Sequence, residues 1–370
     1  MREKLKIGIL GATGAAGLEF VRTLHDHPFF EITKLYASPT NVGKTLEHAC
    51  KLDLTGIDDS ITWITLEDMN HPNKELDLIC SALPSDVART YESLWSQHMP
   101  VISTTAAFRY EDDVPILITE VNPEHAKILS RQEGNWIAPG PNCTTVGLAV
   151  SLKPLYDALG VKRVAMSSYQ SISGGGYGLI QAWKAQRNQT DLPTPLVTPP
   201  ETGQYPLIEG NVVGYIPGEE EKVKQETLKI LGDYEEGIIT PANIIIGCQC
   251  VRVPTVQGHF ETVFLETGKS FSLDDVAEIY ATFNAQTKEA FGNLPSSPEE
   301  TIVLLDGSPQ PRLDVKYGEG MSVVIGRIEP CSIFGENGLQ YQVLSNNLEK
   351  GAAKGMIQVA EYLFSQGELQ

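Results

Sequence analysis

The stretch that most limits the possible folds lies at the start of the chain. There the apolar run "KIGIL" meets the turn "GATGAAG" (Gly11–Gly17), followed by "LEFVRTLHDHP", whose Leu18, Val21 and Leu24 recur at helical spacing. A second apolar segment, "EITKLYA", comes after "HPFF". Strand, glycine turn, helix and strand form a βαβ unit, which implies a parallel sheet with a right-handed crossover. "LDLICSALP" and "PVIST" read as further strands of that sheet, apolar on both faces as buried parallel strands are.

Beyond residue 143 the texture changes. A helical stretch, "TTVGLAVSLKPLYDAL", precedes the β-like runs "VKRVAMSSYQSI", "NIIIGCQCVRVPTV" and "HFETVFLET", which are polar at alternate residues and so read as a sheet with one face covered by helices. At 370 residues the chain is too long for one core. The expected class is α/β: an N-terminal Rossmann-type doubly wound parallel sheet over residues 1–142, completed by a C-terminal helix within 346–370, and a second α+β domain over 143–345 with a mixed, largely antiparallel sheet. The Pro- and Gly-rich segment from Thr190 to Leu231 reads as a long surface excursion ending in a charged helix.

The glycines Gly11, Gly14 and Gly17 sit between strand and helix, where backbone N–H groups face a pyrophosphate; Thr13, Ala15 and Ala16 share that turn. After the second strand, "YASPTNVGK" holds no acid to bond a ribose 2′-hydroxyl. Ser38, Thr40 and Asn41 can donate to a 2′-phosphate and Lys44 adds charge, so NADP is expected over NAD. The formal net charge of -19 opposes nucleic acid and anionic membranes, and makes each cation near a site informative. Six cysteines form no disulfide framework, and "MREKLKIGILGATG" has no secretory apolar region, so a cytoplasmic, reducing setting is expected. No apolar run reaches membrane-spanning length. Cys248 and Cys250 have no companion ligands, and no metal is expected.

Cys143, in "GPNCTTVG", sits where a helix begins, a position that favours the thiolate, with Thr144 and Thr145 as capping or early-turn residues. Position alone allows equally a small buried side chain. Of seven histidines, most lie among polar neighbours and read as surface residues; His259 follows a strand-breaking glycine and can enter a cleft. Arg252 lies on the same run and suits a carboxylate. Gln170 precedes the glycines Gly174–Gly176.

Taken together, "GATGAAG", "SALPS", "PNCTT", "YQSISGGG", "GEEEKVKQET", "RVPTVQGH" and "NNLEKGAAKG" resemble the aspartate-semialdehyde dehydrogenases, in the branch shared by archaea and fungi. The resemblance spans nearly the whole chain in order. It implies that Cys143 is the acylated thiol, His259 the acid/base and Gln170 the residue that orients substrate. It also implies Arg252 on the substrate α-carboxylate, Glu219 in preference to Glu220 on the amine, Lys222 and Arg109 at the phosphate, and Asn142 beside the thiol. Ser81, Ala82, Leu83 and Pro84 of "SALPS", with Ser173, Gly174 and Asn347, become cofactor contacts, as do Gly351 and Ala352. The implied reaction is NADPH-dependent reduction of 4-phospho-aspartate to aspartate 4-semialdehyde, in biosynthesis of lysine, threonine, methionine and isoleucine, by a homodimer or homotetramer. Thr40 stands where the family often has arginine. Two rivals are a malonyl-CoA reductase-like enzyme on the same scaffold and a nucleotide-binding relative without catalysis; "PNCTT" with the "GEEEK" helix argues against the first, and the presence of both Cys143 and His259 against the second.

Overall fold

The computed structural model describes residues 4–188 and 205–369. Part of the Pro- and Gly-rich excursion lies outside these. Six strands, β1 (Leu5–Leu10), β2 (Phe30–Ala37), β3 (Leu66–Asp68), β4 (Leu78–Ser81), β5 (Val101–Ser103) and β6 (Ile137–Pro139), form one sheet in the order β3-β2-β1-β4-β5-β6. Every pair is parallel. The strand order reverses between β1 and β4, and in open parallel sheets the crevice at the carboxyl ends of such a pair takes the ligand.

A second six-stranded sheet runs β10-β7-β11-β14-β13-β12, from β7 (Val161–Gln170), β10 (Ile245–Arg252), β11 (His259–Thr267), β12 (Ile302–Leu305), β13 (Val323–Pro330) and β14 (Gly338–Ser345). Its pairs are antiparallel except β10 with β7 and β12 with β13. A hairpin of β8 (Asp233–Glu235) and β9 (Ile238–Thr240) stands apart. On β11, residues 259, 261, 263, 265 and 267 are buried while those between them are half-exposed, the period of two expected of a sheet covered on one face.

The cover is the helix Cys143–Leu159. Most of its surface is buried, and Leu148, Val150, Leu152 and Leu155 join Val263, Leu265 and Val343 in one core. Each such side chain contributes about 1.5–3 kcal/mol on burial. Gly147 lets the helix approach β14, since a Cβ there would come within 2.7 Å of Ser345 Oγ. The C-terminal helix Ala353–Gln366 packs Ala353, Met356 and Ile357 into the core of the parallel sheet, beside Ile7, Phe20 and Leu78. Among the described residues no helix is long and apolar enough to cross a membrane.

Candidate active site

Because β1 and β6 are parallel members of one sheet, Gly11 after β1 and Gly140 after β6 leave it at the same edge. From Gly140 the chain runs through Pro141 and Asn142 into the helix that Cys143 opens. The cap is Asn142 rather than the threonines: its Oδ1 accepts the N–H groups of Thr144 (2.8 Å) and Thr145 (3.3 Å). In the second sheet Gln170 and Arg252 are paired at the ends of β7 and β10, and His259 starts β11 beside them. The thiol and the imidazole thus come from two different sheets' edges, and Cys143 Sγ lies 3.2 Å from His259 Nε2.

Burial governs both groups. It pushes the Cys143 thiol up to about 12, helped by the Glu219 carboxylate and opposed by Arg252 and Arg109. His259 is pulled down to about 3 by burial and then by the Arg252 charge. Both shifts favour the uncharged forms of the pair. Arg252 donates from Nη1 to the Ser171 carbonyl at 2.7 Å. A Cβ at Gly174 would sit 2.9 Å from Arg252 Nη1 and 3.2 Å from His259 Cε1, so only glycine lets this loop close over both. Gln170 is buried and donates to Ser168 Oγ at 3.3 Å.

The helix Glu219–Ile230 brings in the acids. Glu219 accepts Asn142 Nδ2 at 2.9 Å and pairs with Lys222 at 3.5 Å, whereas Glu220 turns to β10 and accepts the Cys250 N–H at 3.3 Å. Of the two, Glu219 alone faces the thiol end. Glu226, seven residues on and on the same helical face, accepts the Asn142 N–H at 2.6 Å and Arg109 Nη1 at 2.9 Å. The rest of the Arg109 guanidinium is held by the carbonyls of Gly140, Thr104 and Pro141. Among the described residues, one Nη1 hydrogen has no acceptor.

Around the glycine turn, Gly11 has φ +78°, and a Cβ at Gly17 would lie 2.1 Å from the Gly11 carbonyl oxygen. The helix Ala15–Leu24 has no side-chain cap and no acid in its first turn, leaving its N–H groups to an anion. Thr13 lies half-buried in the turn. Ala82 and Leu83 pack against Gly11, and Pro84 precedes the next helix. Ser38 and Thr40 bond each other at 3.1 Å, and Lys44 bonds Asn41 at 3.0 Å. These residues fit a dinucleotide. Ser81 differs: its hydroxyl is spent on buried Glu92 at 2.6 Å, together with Ser103 and Thr105. Ser173 and Asn347 lie at the thiol end, bonded to each other at 2.9 Å, and Gly351 is so close to Cys143 that a Cβ there would lie 3.0 Å from that of the cysteine.

Two histidines expected on the surface are in the interior. His125 bonds Asn122 and the Gly232 carbonyl, and His27 bonds Glu361. Polar sequence neighbours misled because the partners come from distant elements. Glu226 was signalled by its heptad spacing from Glu219 on an otherwise apolar stripe.

The family model described as "Semialdehyde dehydrogenase, NAD binding domain" matches residues 6–129, and "Semialdehyde dehydrogenase, dimerisation domain" matches residues 152–350. The chain is 35% identical to the aspartate-semialdehyde dehydrogenase of Methanothermobacter thermautotrophicus over 97% of its length and 99% of the relative's. It is 36% identical to that of Archaeoglobus fulgidus, covering 98% and 99%. The solved structure of aspartate semialdehyde dehydrogenase with NADP from Candida albicans superposes with a TM-score of 0.84 at 30% identity, covering 99% of this chain and 100% of that one. The chain belongs to the aspartate-semialdehyde dehydrogenase family, oxidoreductases that act on an aldehyde with NAD(P) as acceptor in amino-acid biosynthesis.

Proposed function

We propose that Cys143 and His259 carry NADP-dependent, phosphate-releasing interconversion of 4-phospho-aspartate and aspartate 4-semialdehyde. The observation that carries this reading is the 3.2 Å contact between Sγ and Nε2, beside Arg252 and Glu219. The Cys143 sulfur attacks the acyl carbon, the C–O bond to phosphate breaks, and a thioester forms. NADPH, when bound, supplies the hydride that reduces this thioester. Collapse of the thiohemiacetal releases the aldehyde and returns the sulfur, with His259 exchanging the proton. With the N–H groups of Thr144 and Thr145 bonded to Asn142 Oδ1, the Cys143 N–H beside the sulfur is the donor at the helix start that faces the oxyanion. Arg252 takes the α-carboxylate, Glu219 the amine, Gln170 orients the acyl group, and Arg109 with Lys222 takes the phosphate, answering the repulsion an acidic protein exerts on an anionic substrate.

Gly11–Gly17, Ala82–Pro84 and the loop from Ser38 to Lys44 hold the cofactor, with Ser173, Gly174, Gly351 and Ala352 at its reacting end. Preference for NADP rests on the hydroxyls and Lys44 standing where an acid would favour NAD. The chain divides at residue 142 and returns to its first unit from 346. The outer face of the mixed sheet, where Tyr169 and Ile245 are exposed, suits a homodimer, alone or within a homotetramer. A cytoplasmic setting suits six free cysteines, one of them reactive.

Initial rates of aspartate semialdehyde oxidation with NADP, with NAD and without phosphate test the reading. Turnover that needs phosphate and favours NADP is expected. Phosphate-independent turnover, or reduction of malonyl-CoA in its place, would reject it.

A further inference from the structure

Glu226 is fully buried on the helix Glu219–Ile230, with a donor at each carboxylate oxygen. Oε1 accepts Arg109 Nη1 at 2.9 Å and the Tyr110 hydroxyl at 3.4 Å, and Oε2 accepts the Asn142 N–H at 2.6 Å. Arg109 is buried with it. Three carbonyls take the Nε and Nη2 hydrogens of Arg109, so once Glu226 holds Nη1, one Nη1 hydrogen is left without an acceptor among the described residues. The same helix also holds the main chain there: Lys229 Nζ donates to the carbonyls of Arg109 at 2.9 Å and Glu111 at 2.7 Å. Glu219, roughly two turns and 10.5 Å earlier along the axis, accepts Asn142 Nδ2 at 2.9 Å. Asn142 is therefore gripped through its backbone by one carboxylate and through its side chain by the other, immediately before Cys143.

We propose that Glu226 is a positioning residue that ties the phosphate-binding arginine to the thiol: one oxygen fixes the Arg109 guanidinium and the other the backbone of Asn142. A single rigid group thereby sets the separation between the free Arg109 N–H and Cys143 Sγ. This deepens, and rests on, the reading that Arg109 takes the phosphate. The chemistry makes that separation matter. As sulfur bonds the acyl carbon and the C–O bond breaks, with its electron pair leaving on the phosphate oxygen, nucleophile and departing group share one carbon. The cation that receives the phosphate must then stand at a fixed place relative to the sulfur.

Stability alone accounts less well for the pair. A buried ion pair adds little net stability, because taking two charges out of water offsets their attraction, and apolar side chains of similar volume would fill the space as well. An amide would not serve either. Glu226 faces donors on both sides, Arg109 and Asn142, whereas a glutamine offers one acceptor oxygen and turns an NH2 group toward the other donor. Lys222, the other cation assigned to phosphate, is half-buried and meets Glu219 at 3.5 Å, so Arg109 is the one of the two held at a fixed place.

The test uses the full-length enzyme in phosphate-dependent oxidation of aspartate semialdehyde. Glu226→Gln should raise KM for phosphate roughly tenfold and lower kcat roughly 10- to 100-fold, with KM for NADP within about twofold. Glu226→Asp keeps the charge but is one methylene short of holding both donors, so it should fall between Glu226→Gln and wild type. In an Arg109→Leu background, Glu226→Gln should raise KM for phosphate by no more than about twofold further, because the contact is already lost. Unchanged kcat and KM for phosphate in Glu226→Gln would overturn the proposal. So would matching rises in KM for phosphate and for NADP, the mark of a general loosening, or full multiplication of the two effects in the double variant. Should the variants fail to fold, wild-type crystals soaked in inorganic phosphate decide. Phosphate on the free Arg109 N–H with Glu226 still paired is expected, and a guanidinium swung off Glu226 onto phosphate overturns the proposal. Phosphate bound away from Arg109 would instead remove the reading on which the proposal rests, and the proposal with it.

Discussion

At the glycine turn after β1, the groups that face the crevice are backbone N–H groups, and the first turn of the helix Ala15–Leu24 has neither a side-chain cap nor an acid. At the thiol end, by contrast, almost every polar side chain is already bonded to another: Asn142 to Glu219, Glu226 to Arg109, Arg252 to the Ser171 carbonyl, and Asn347 to three partners. The cofactor end works by leaving donors open for a ligand that supplies its own charge. The reaction end works by spending its donors in advance, so that few groups remain free to move when charge develops. Changes at one end should therefore alter binding, and changes at the other turnover.

The sharpest break in that contrast is Cys143→Ala. Turnover should fall by roughly 10⁴-fold or more, as removal of a covalent nucleophile does, while NADP still binds, because the glycine turn follows β1 and Cys143 follows β6, separated by β4 and β5 in the sheet. Stopped turnover with cofactor affinity measured by fluorescence titration checks both halves. Residual turnover near the wild-type rate would remove the thiol from the mechanism.

A one-carbon change at each end separates them further. Gly174→Ala places a methyl 2.9 Å from Arg252 Nη1 and 3.2 Å from His259 Cε1, a wedge between the proposed carboxylate arginine and the imidazole. Displacements of this size cost roughly 10- to 100-fold in kcat. Gly17→Ala places its methyl 2.1 Å from a backbone oxygen that cannot rotate away, so the turn must open. There the expected change is a rise of roughly tenfold in KM for NADP, with kcat lowered less. Steady-state kinetics of both variants read the split directly, and equal effects on both parameters at both sites would erase the distinction drawn between the two ends.

The same contrast explains what the sequence makes legible. The glycine turn is local: seven consecutive residues and the strand and helix beside them carry its meaning, so spacing alone led to it. Cys143 and His259 were legible through their immediate motifs, although neither motif told which elements would bring them together. The resemblance puts Asn347 at the cofactor, but nothing in its segment shows that its amide bonds Gly258, Ser171 and Ser173, residues some 90 to 176 positions away. Nor does the local motif around Ser81 show that its hydroxyl bonds Glu92. A preorganised site is built from long-range pairs, and local pattern contains no trace of those. Glu226 is the intermediate case, since helical periodicity shows its face but not its partners.

The smallest expected effect concerns stability in acid. His259 titrates at about 3 in the folded protein against an ordinary value of 6.5. Between those values the unfolded chain binds a proton that the folded one refuses. Stability is thus unaffected by this residue above about pH 6.5 and is lost as pH falls toward 3, at no more than about 1.4 kcal/mol per pH unit. The buried acids Glu92 and Glu261 work in the opposite sense, because a raised carboxyl favours the folded state in acid and withdraws that support as pH rises. They are present in both proteins when wild type is compared with His259→Gln, so they cancel. Urea unfolding at pH 7 and pH 5 should show wild type losing more stability than the variant across that interval, by at most a few kcal/mol. An identical loss in the two would mean that the ring can take up a proton without unfolding. The reaction end would then be less rigidly committed than its hydrogen bonds imply, and its difference from the open cofactor turn would be one of degree.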